Sequence, residues 1–245
     1  MPSFQDLYLD HVAASFDKQL SFSEKLSSPD SNMGCDLQTG KLTISEVKTS
    51  GGFFKKKTKV ETHFDVQLLG SESYISSTWK WIWDNANPGA QYPETILQDA
   101  AKLKSLGEAD GIKEFSEGTF AVPEMGGEHF ALVASGLMNA ISYFPLNYDG
   151  GCAYVLCYES KDLMGPATVE NPVARVLTVF PQVLSNMDII DHKRALRAYC
   201  QYYKMKISDT ADGAMTAEHA WGSITAKFDE QGRLVDMSGS MAKPQ

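Results

Sequence analysis

The residues best suited to proton chemistry form an acid–histidine–acid trio, Glu61, His63 and Asp65. They alternate with apolar residues, so in a β-strand all three side chains point to the same face. Neighbouring carboxylates raise the pKa of an imidazole, which would suit a general base or a weak metal site. The alternative is that the trio forms the solvated polar face of a half-exposed strand. No histidines occur at metal-ligand spacing, so we expect no metal site and no cofactor.

A second candidate pair is Asp191 and His192. In an enzyme, either His192 or His63 would act as the base, and a nearby carboxylate would orient it. Asp191 also precedes an amphipathic segment, so its carboxylate could instead cap a helix. The sequence contains no Walker loop, nucleophile elbow or zincin motif. These observations leave catalysis uncertain, and we lean towards a protein that is not an enzyme.

Three tryptophans, Trp79, Trp81 and Trp83, occupy alternate positions of a five-residue run. In a strand the three indoles share one face, whereas on a helix successive ones would fan out by about 200°. The spacing therefore predicts a strand, with Lys80 and Ile82 on the opposite face. The aromatic surface could anchor helices packed over a sheet, or it could bind a sugar or a nucleobase. We favour the core interpretation and keep the three indoles as candidate ligand-binding residues.

The bulk properties exclude several classes of function. The chain has 245 residues and a formal net charge of −9, which disfavours nucleic acid as a partner, because phosphate binding needs clustered Lys and Arg. The four cysteines form no metal or redox motif and are expected to be free thiols. No apolar run reaches the roughly 20 residues that cross a bilayer, and the first residues do not resemble a signal peptide. We therefore expect a cytoplasmic protein with no membrane partner.

The periodicity along the chain predicts an α+β fold. An N-terminal helix that ends near Leu26 leads into a meander of about four antiparallel strands, and several helices and a C-terminal hairpin follow. Residues 173–180 fit either a helix or a strand, and the polar segment 208–217 is expected to be a loop. We predict one domain over residues 1–245. The alternative is a division into 1–87, a helix with an antiparallel sheet, and 88–245, a helix-rich unit with further strands.

Five features of the chain occur together in a familiar order. They are the N-terminal helix, the Trp-x-Trp-x-Trp-x-Asn strand at 79–85, Leu106–Gly107 at a helix end, Asp191–His192 before a helix, and the Phe-Asp-x-x-Gly-Arg-Leu hairpin at 228–234. This order resembles an uncharacterised family of bacterial single-domain proteins, a domain of unknown function. The resemblance covers most of the chain and implies a bacterial, cytoplasmic protein, but no particular activity.

The leading functional hypothesis is a non-catalytic binding or regulatory module whose partner is an unidentified protein or small molecule. An immunity-type protein that neutralises a toxin would be one concrete form, because the chain is acidic and lacks catalytic motifs. The alternatives are an enzyme with a small pocket that uses a histidine and a carboxylate, and an aromatic surface that binds a sugar or nucleobase.

Overall fold

The computed structural model describes residues 1–26, 32–50, 56–84, 91–122, 126–158 and 169–243. It confirms the predicted α+β class, with several helices and two antiparallel sheets. The helices are α1 (Phe4–Leu26), α2 (Gln98–Asp110), α3 (Lys113–Ser116), α4 (Glu128–Leu137), α5 (Pro172–Asn186) and α6 (His192–Tyr202). The strands are β1 (Asn32–Asp36), β2 (Lys41–Ser50), β3 (Lys56–Ser73), β4 (Thr78–Trp81), β5 (Thr119–Ala121), β6 (Ser142–Tyr148), β7 (Gly151–Tyr158), β8 (Lys206–Asp209), β9 (Met215–His219), β10 (Gly222–Phe228) and β11 (Leu234–Met241).

Packing groups these elements into two compact units. The large unit comprises Met1 and residues 19–163, and the small unit comprises residues 2–18 and 164–245. The alternative domain boundary near residue 87 lies in the segment 85–90, outside the described residues. Residues on both sides of that segment fall in the large unit, and the one-domain organisation stays a prediction. Among the described residues, no helix combines the length and the apolar character needed to span a bilayer.

The seven-stranded sheet of the large unit is organised around the long strand β3. Its first half pairs with β2, and its second half pairs with β4 on one side and β7 on the other. The predicted alternation along β3 is confirmed: Phe64, Val66 and Leu68 are buried, and Phe22 of α1 packs on Phe64 with ring centroids 5.3 Å apart. The opposite face of the sheet is covered by α2 on β3 and by α4 on β6 and β7.

The tryptophan run supplies much of the core on that second face. Trp79 and Trp81 have no exposed surface, and Trp79 packs on Phe130 of α4 at 5.1 Å. The core interpretation is confirmed for these two residues. The prediction that Trp83 continues the strand is wrong, because β4 ends at Trp81 and a 3₁₀ turn covers Ile82–Asp84. The turn lays the Trp83 indole on that of Trp81, with centroids 4.6 Å apart and the planes 8° from parallel.

The small unit has a four-stranded sheet of order β11-β10-β9-β8. The segment 173–180, which the sequence left open, is helical within α5: Pro172 takes the first turn, and the Asn171 side chain accepts a hydrogen bond from the Ala174 amide at 3.0 Å. The loop predicted at 208–217 is limited to residues 210–214, because residues 208–209 belong to β8 and residues 215–217 belong to β9, and the two strands pair. Whether a short polar segment forms a strand depends on its contacts with the neighbouring strand, which the composition of the segment does not show.

Candidate functional site

A cleft of about 440 Å³ opens on the face of the large sheet that carries Ser71 and Lys80, and Trp81 also contributes to its lining. Its floor follows one row of residues across four strands. Leu146 of β6 pairs with Ala153 of β7, Ala153 pairs with Ser71 of β3, and Ser71 pairs with Lys80 of β4. Directly paired residues in a sheet place their side chains on the same face. The pairing of β3 with β7 therefore assembles this floor from two distant parts of the sequence, 71–80 and 146–153.

The walls of the cleft are mainly apolar. The aliphatic side chains that line it are Leu37, Leu68, Ile82, Leu146 and Ala153. Leu37 comes from the turn between β1 and β2, where the Gln38 side chain donates a hydrogen bond to the Gln91 carbonyl at 3.1 Å. That bond ties the turn to the segment that carries Tyr92, the aromatic residue on the same side of the cleft. A second aromatic residue, Tyr148, is 51% exposed and also lines the cleft.

A glycine fixes the position of Tyr148. A Cβ at Gly151, the cross-strand partner of Tyr148, would lie 2.5 Å from the Tyr148 hydroxyl oxygen. Glycine at this position therefore lets the phenol ring lie across the neighbouring strand. The Tyr148 hydroxyl donates a long hydrogen bond of 3.4 Å to the Glu72 carbonyl.

Polar groups of the cleft are few, and one of them carries a charge. Ser71, Lys80 and Asn147 line it together with the two phenols. Lys80 is half-buried, and among the described residues its ammonium makes no hydrogen bond or ion pair. Two other lysines of the large unit are paired, Lys41 with Asp65 at 2.5 Å and Lys102 with Asp99 at 2.7 Å.

The trio Glu61, His63 and Asp65 lies together on the polar face of β3, as its spacing predicts, but outside the cleft. The three side chains are 42%, 55% and 62% exposed. His63 Nδ1 lies 3.0 Å from the Thr43 hydroxyl, and its Nε2 lies 3.8 Å from the Glu61 carboxylate. A hydrogen bond from Lys59 lowers the pKa of Glu61. This arrangement is an open polar face, and its role as a catalytic site stays a prediction.

Asp191 and His192 both support local structure in the small unit. The Asp191 carboxylate accepts a hydrogen bond from the Arg194 amide at 2.9 Å, so it caps α6. His192 Nδ1 accepts a hydrogen bond from the Leu234 amide at 3.0 Å and so holds the start of β11. Neither residue lines the cleft, and their catalytic role also stays a prediction.

The indoles proposed as ligand-binding residues differ in their surroundings. Trp79 and Trp81 are enclosed, and the Trp81 Nε1 group donates a hydrogen bond to the Glu114 carbonyl at 2.8 Å. Trp83 is partly exposed, but its ring stacks on that of Trp81. The aromatic rings that line the cleft with surface in solvent are instead those of Tyr92 and Tyr148.

Apart from Trp81, the residues that line the cleft were not among the sequence candidates. Alternation in the tryptophan run had already placed Lys80 and Ile82 opposite the indoles, and this was the available signal. This alternation indicates which face Lys80 and Ile82 share, but it does not identify their neighbours on that face. Leu146 and Tyr148 reach the same face only through strand pairing.

Comparison with known proteins adds a family but no activity. Residues 5–159 match the family described as "Family of unknown function (DUF6882)". No curated protein and no solved structure matches the chain. Every residue that lines the cleft lies inside the matched region.

Proposed function

The chain belongs to this family of unknown function, and on the geometry of the cleft we propose that it is a non-catalytic module that binds a small organic molecule. The observation that carries the proposal is the combination of a concave, mostly apolar surface with a few polar groups at its floor. Binding sites for small molecules have this composition.

The size of the cleft supports a small ligand. Its volume of about 440 Å³ lies within the range of roughly 300–1,000 Å³ that is usual for small-molecule pockets. The floor is built on paired strands of the sheet rather than on loops. A site on paired strands is held in shape before a ligand arrives, which reduces the cost of ordering it on binding.

The chemistry of the lining supports binding rather than turnover. Its polar groups are an amine, a hydroxyl, an amide and two phenols. The histidine and carboxylate pairs that suit acid–base catalysis lie elsewhere, at His63 and at His192. A ligand in the cleft would therefore meet groups that hold it in one orientation.

The substitution Ala153→Phe tests this proposal. Ala153 lies on the floor between Ser71 and Leu146, so a phenyl ring there would occupy space that a ligand needs. The neutral fluorescent probe N-phenyl-1-naphthylamine should bind the wild type with a blue-shifted emission. We expect Ala153→Phe to weaken that binding by about tenfold or more, which corresponds to about 1.4 kcal/mol.

Ala121→Phe is the matched control. Ala121 pairs with Thr78, so it lies on the same sheet face, but it is exposed and does not line the cleft. Its probe affinity should equal that of the wild type, and circular dichroism should show that both variants are folded. A wild type that does not bind the probe, or two variants that lose binding equally, would contradict the proposal.

A further inference from the structure

We propose that the ligand of the cleft is a singly charged amphipathic anion, such as an organic carboxylate or sulfonate, whose charged group pairs with Lys80. This inference rests on the proposed function and specifies its ligand class. It starts from an ammonium group that has no partner among the described residues, at the floor of a cleft with apolar walls.

The surroundings of Lys80 favour an anion. A cation that has lost part of its hydration without gaining a partner is disfavoured. The Lys80 ammonium is such a cation, because its side chain is half-buried and has no partner among the described residues. An anion that enters the cleft would form a charge-assisted hydrogen bond with the ammonium, which is stronger than a bond between neutral groups. A neutral ligand would leave the ammonium unpaired and bury it further.

A second donor lies beside the first. Ser71 is the direct cross-strand partner of Lys80 and lines the same cleft. Directly opposed residues have Cβ atoms about 4.5–5.5 Å apart, so the hydroxyl and the ammonium can both reach one carboxylate or sulfonate group. Among the residues that the structure describes, the Ser71 hydroxyl also makes no hydrogen bond. Two donors that are both free thus converge on one point of the floor.

The other residues that line the cleft indicate the shape and charge of the rest of the ligand. Leu37, Ile82 and Leu146 offer aliphatic contacts, and Tyr92 offers an aromatic one. These surfaces suit an apolar body attached to the charged group. The lining holds one cationic side chain, so it balances a single negative charge. A polyphosphate would require several cations.

The test compares two probes that share one skeleton. The anion 8-anilino-1-naphthalenesulfonate is N-phenyl-1-naphthylamine with an added sulfonate group. Lys80→Met removes the charge and keeps much of the length of the side chain. We expect this substitution to weaken binding of the anionic probe by about five- to tenfold and to leave binding of the neutral probe within about twofold. In the wild type, the affinity for the anionic probe should fall as salt rises from 0.05 to 0.5 M.

Lys113→Met is the control for a general change in charge. Lys113 is exposed on α3 and does not line the cleft, so neither probe should respond to its substitution. Equal weakening of both probes by Lys80→Met, or no response of the anionic probe, would overturn the anion inference while binding of the neutral probe still supports the proposed function. A wild type that binds neither probe would overturn the proposed function itself.

Discussion

Asp17 of α1 is a buried carboxylate whose hydrogen bonds are supplied within the small unit. It is 2% exposed. One of its oxygens accepts a hydrogen bond from Arg175 Nε at 2.7 Å, and the other accepts from the hydroxyls of Tyr199 and Tyr203. A buried charge persists when it is paired and hydrogen-bonded in this way. Asp17 therefore has a structural role, in contrast to Lys80, which lines a cleft without a partner.

Lys18, the next residue, makes the stability of the protein depend on pH. It is 7% exposed, and its ammonium lies 5.8 Å from the ring centre of Tyr202. Burial lowers the pKa of Lys18 from about 10.5 to about 8. Between these two values the folded chain has released a proton that the unfolded chain still holds, so stability rises with pH. From pH 7 to pH 9 the wild type should gain about 1 kcal/mol relative to Lys18→Met.

Urea unfolding followed by circular dichroism at pH 7, 8 and 9 measures this difference. Lys206→Met, at an exposed position of β8, is the control and should show no such trend relative to the wild type. Buried thiols act in the opposite direction at high pH, because burial raises the pKa of groups such as Cys200, to about 12. The comparison between two chains with the same cysteines removes that contribution. A constant difference between wild type and Lys18→Met would contradict the prediction.

At the level of individual residues, sequence reasoning succeeded where the local pattern determines the answer. The helix cap at Asp191 and the shared face of Glu61, His63 and Asp65 follow from neighbours within a few positions. The cleft residues could not be predicted in the same way. Leu37 and Tyr92 lie far apart in the sequence, yet both line the cleft, and a hydrogen bond from the Gln38 side chain to the Gln91 carbonyl joins the segments that carry them.

Among the secondary-structure elements, the contact between α2 and α3 depends on a glycine. A Cβ at Gly107 of α2 would lie 2.6 Å from both the carbonyl carbon and the Cβ of Phe115, whose side chain is fully buried. Alanine normally stabilises a helix interior relative to glycine by about 1 kcal/mol. Here the close approach of Phe115 to Gly107 reverses that preference. We expect Gly107→Ala to lower the free energy of unfolding by about 1–3 kcal/mol.

Gly34→Ala in β1 is the matched control for this prediction. A Cβ at Gly34 meets no atom within 4 Å, so the same added methyl should change the stability by less than about 0.5 kcal/mol. Thermal or urea unfolding of both variants gives the comparison. If Gly107→Ala is as stable as the wild type or more stable, the close approach of the two helices is not as described.

Secondary structure could be predicted where sequence periodicity is long and was missed where it is short. The 23-residue helix α1 and the alternating strand β3 follow from their patterns. Trp83 fits the strand period, yet it lies in a 3₁₀ turn, because the chain turns after Trp81 and stacks one indole on the other. The strand at 206–209 has one apolar residue, Ile207, so its own composition does not show that it pairs with 215–218 in a hairpin.

Considered as a whole, the chain places its candidate site within the family-matched region. That match, residues 5–159, covers most of the large unit and nearly all of α1. The cleft lies within it, between residues 37 and 153 of the sequence. A shared function of the family would accordingly be sought first in this cleft, and a direct observation of where a ligand binds is the strongest test.

Methyl NMR of the wild-type chain, titrated with 8-anilino-1-naphthalenesulfonate and then with N-phenyl-1-naphthylamine, provides that observation. If the cleft is the binding site, the largest shifts should occur at the methyl groups of Leu37, Leu68, Ile82, Leu146 and Ala153, which line it. Ile207 and Ile224 of the small unit should serve as unperturbed references. Shifts that are absent, spread evenly over the chain, or largest in the small unit would contradict the assignment of the cleft as the binding site.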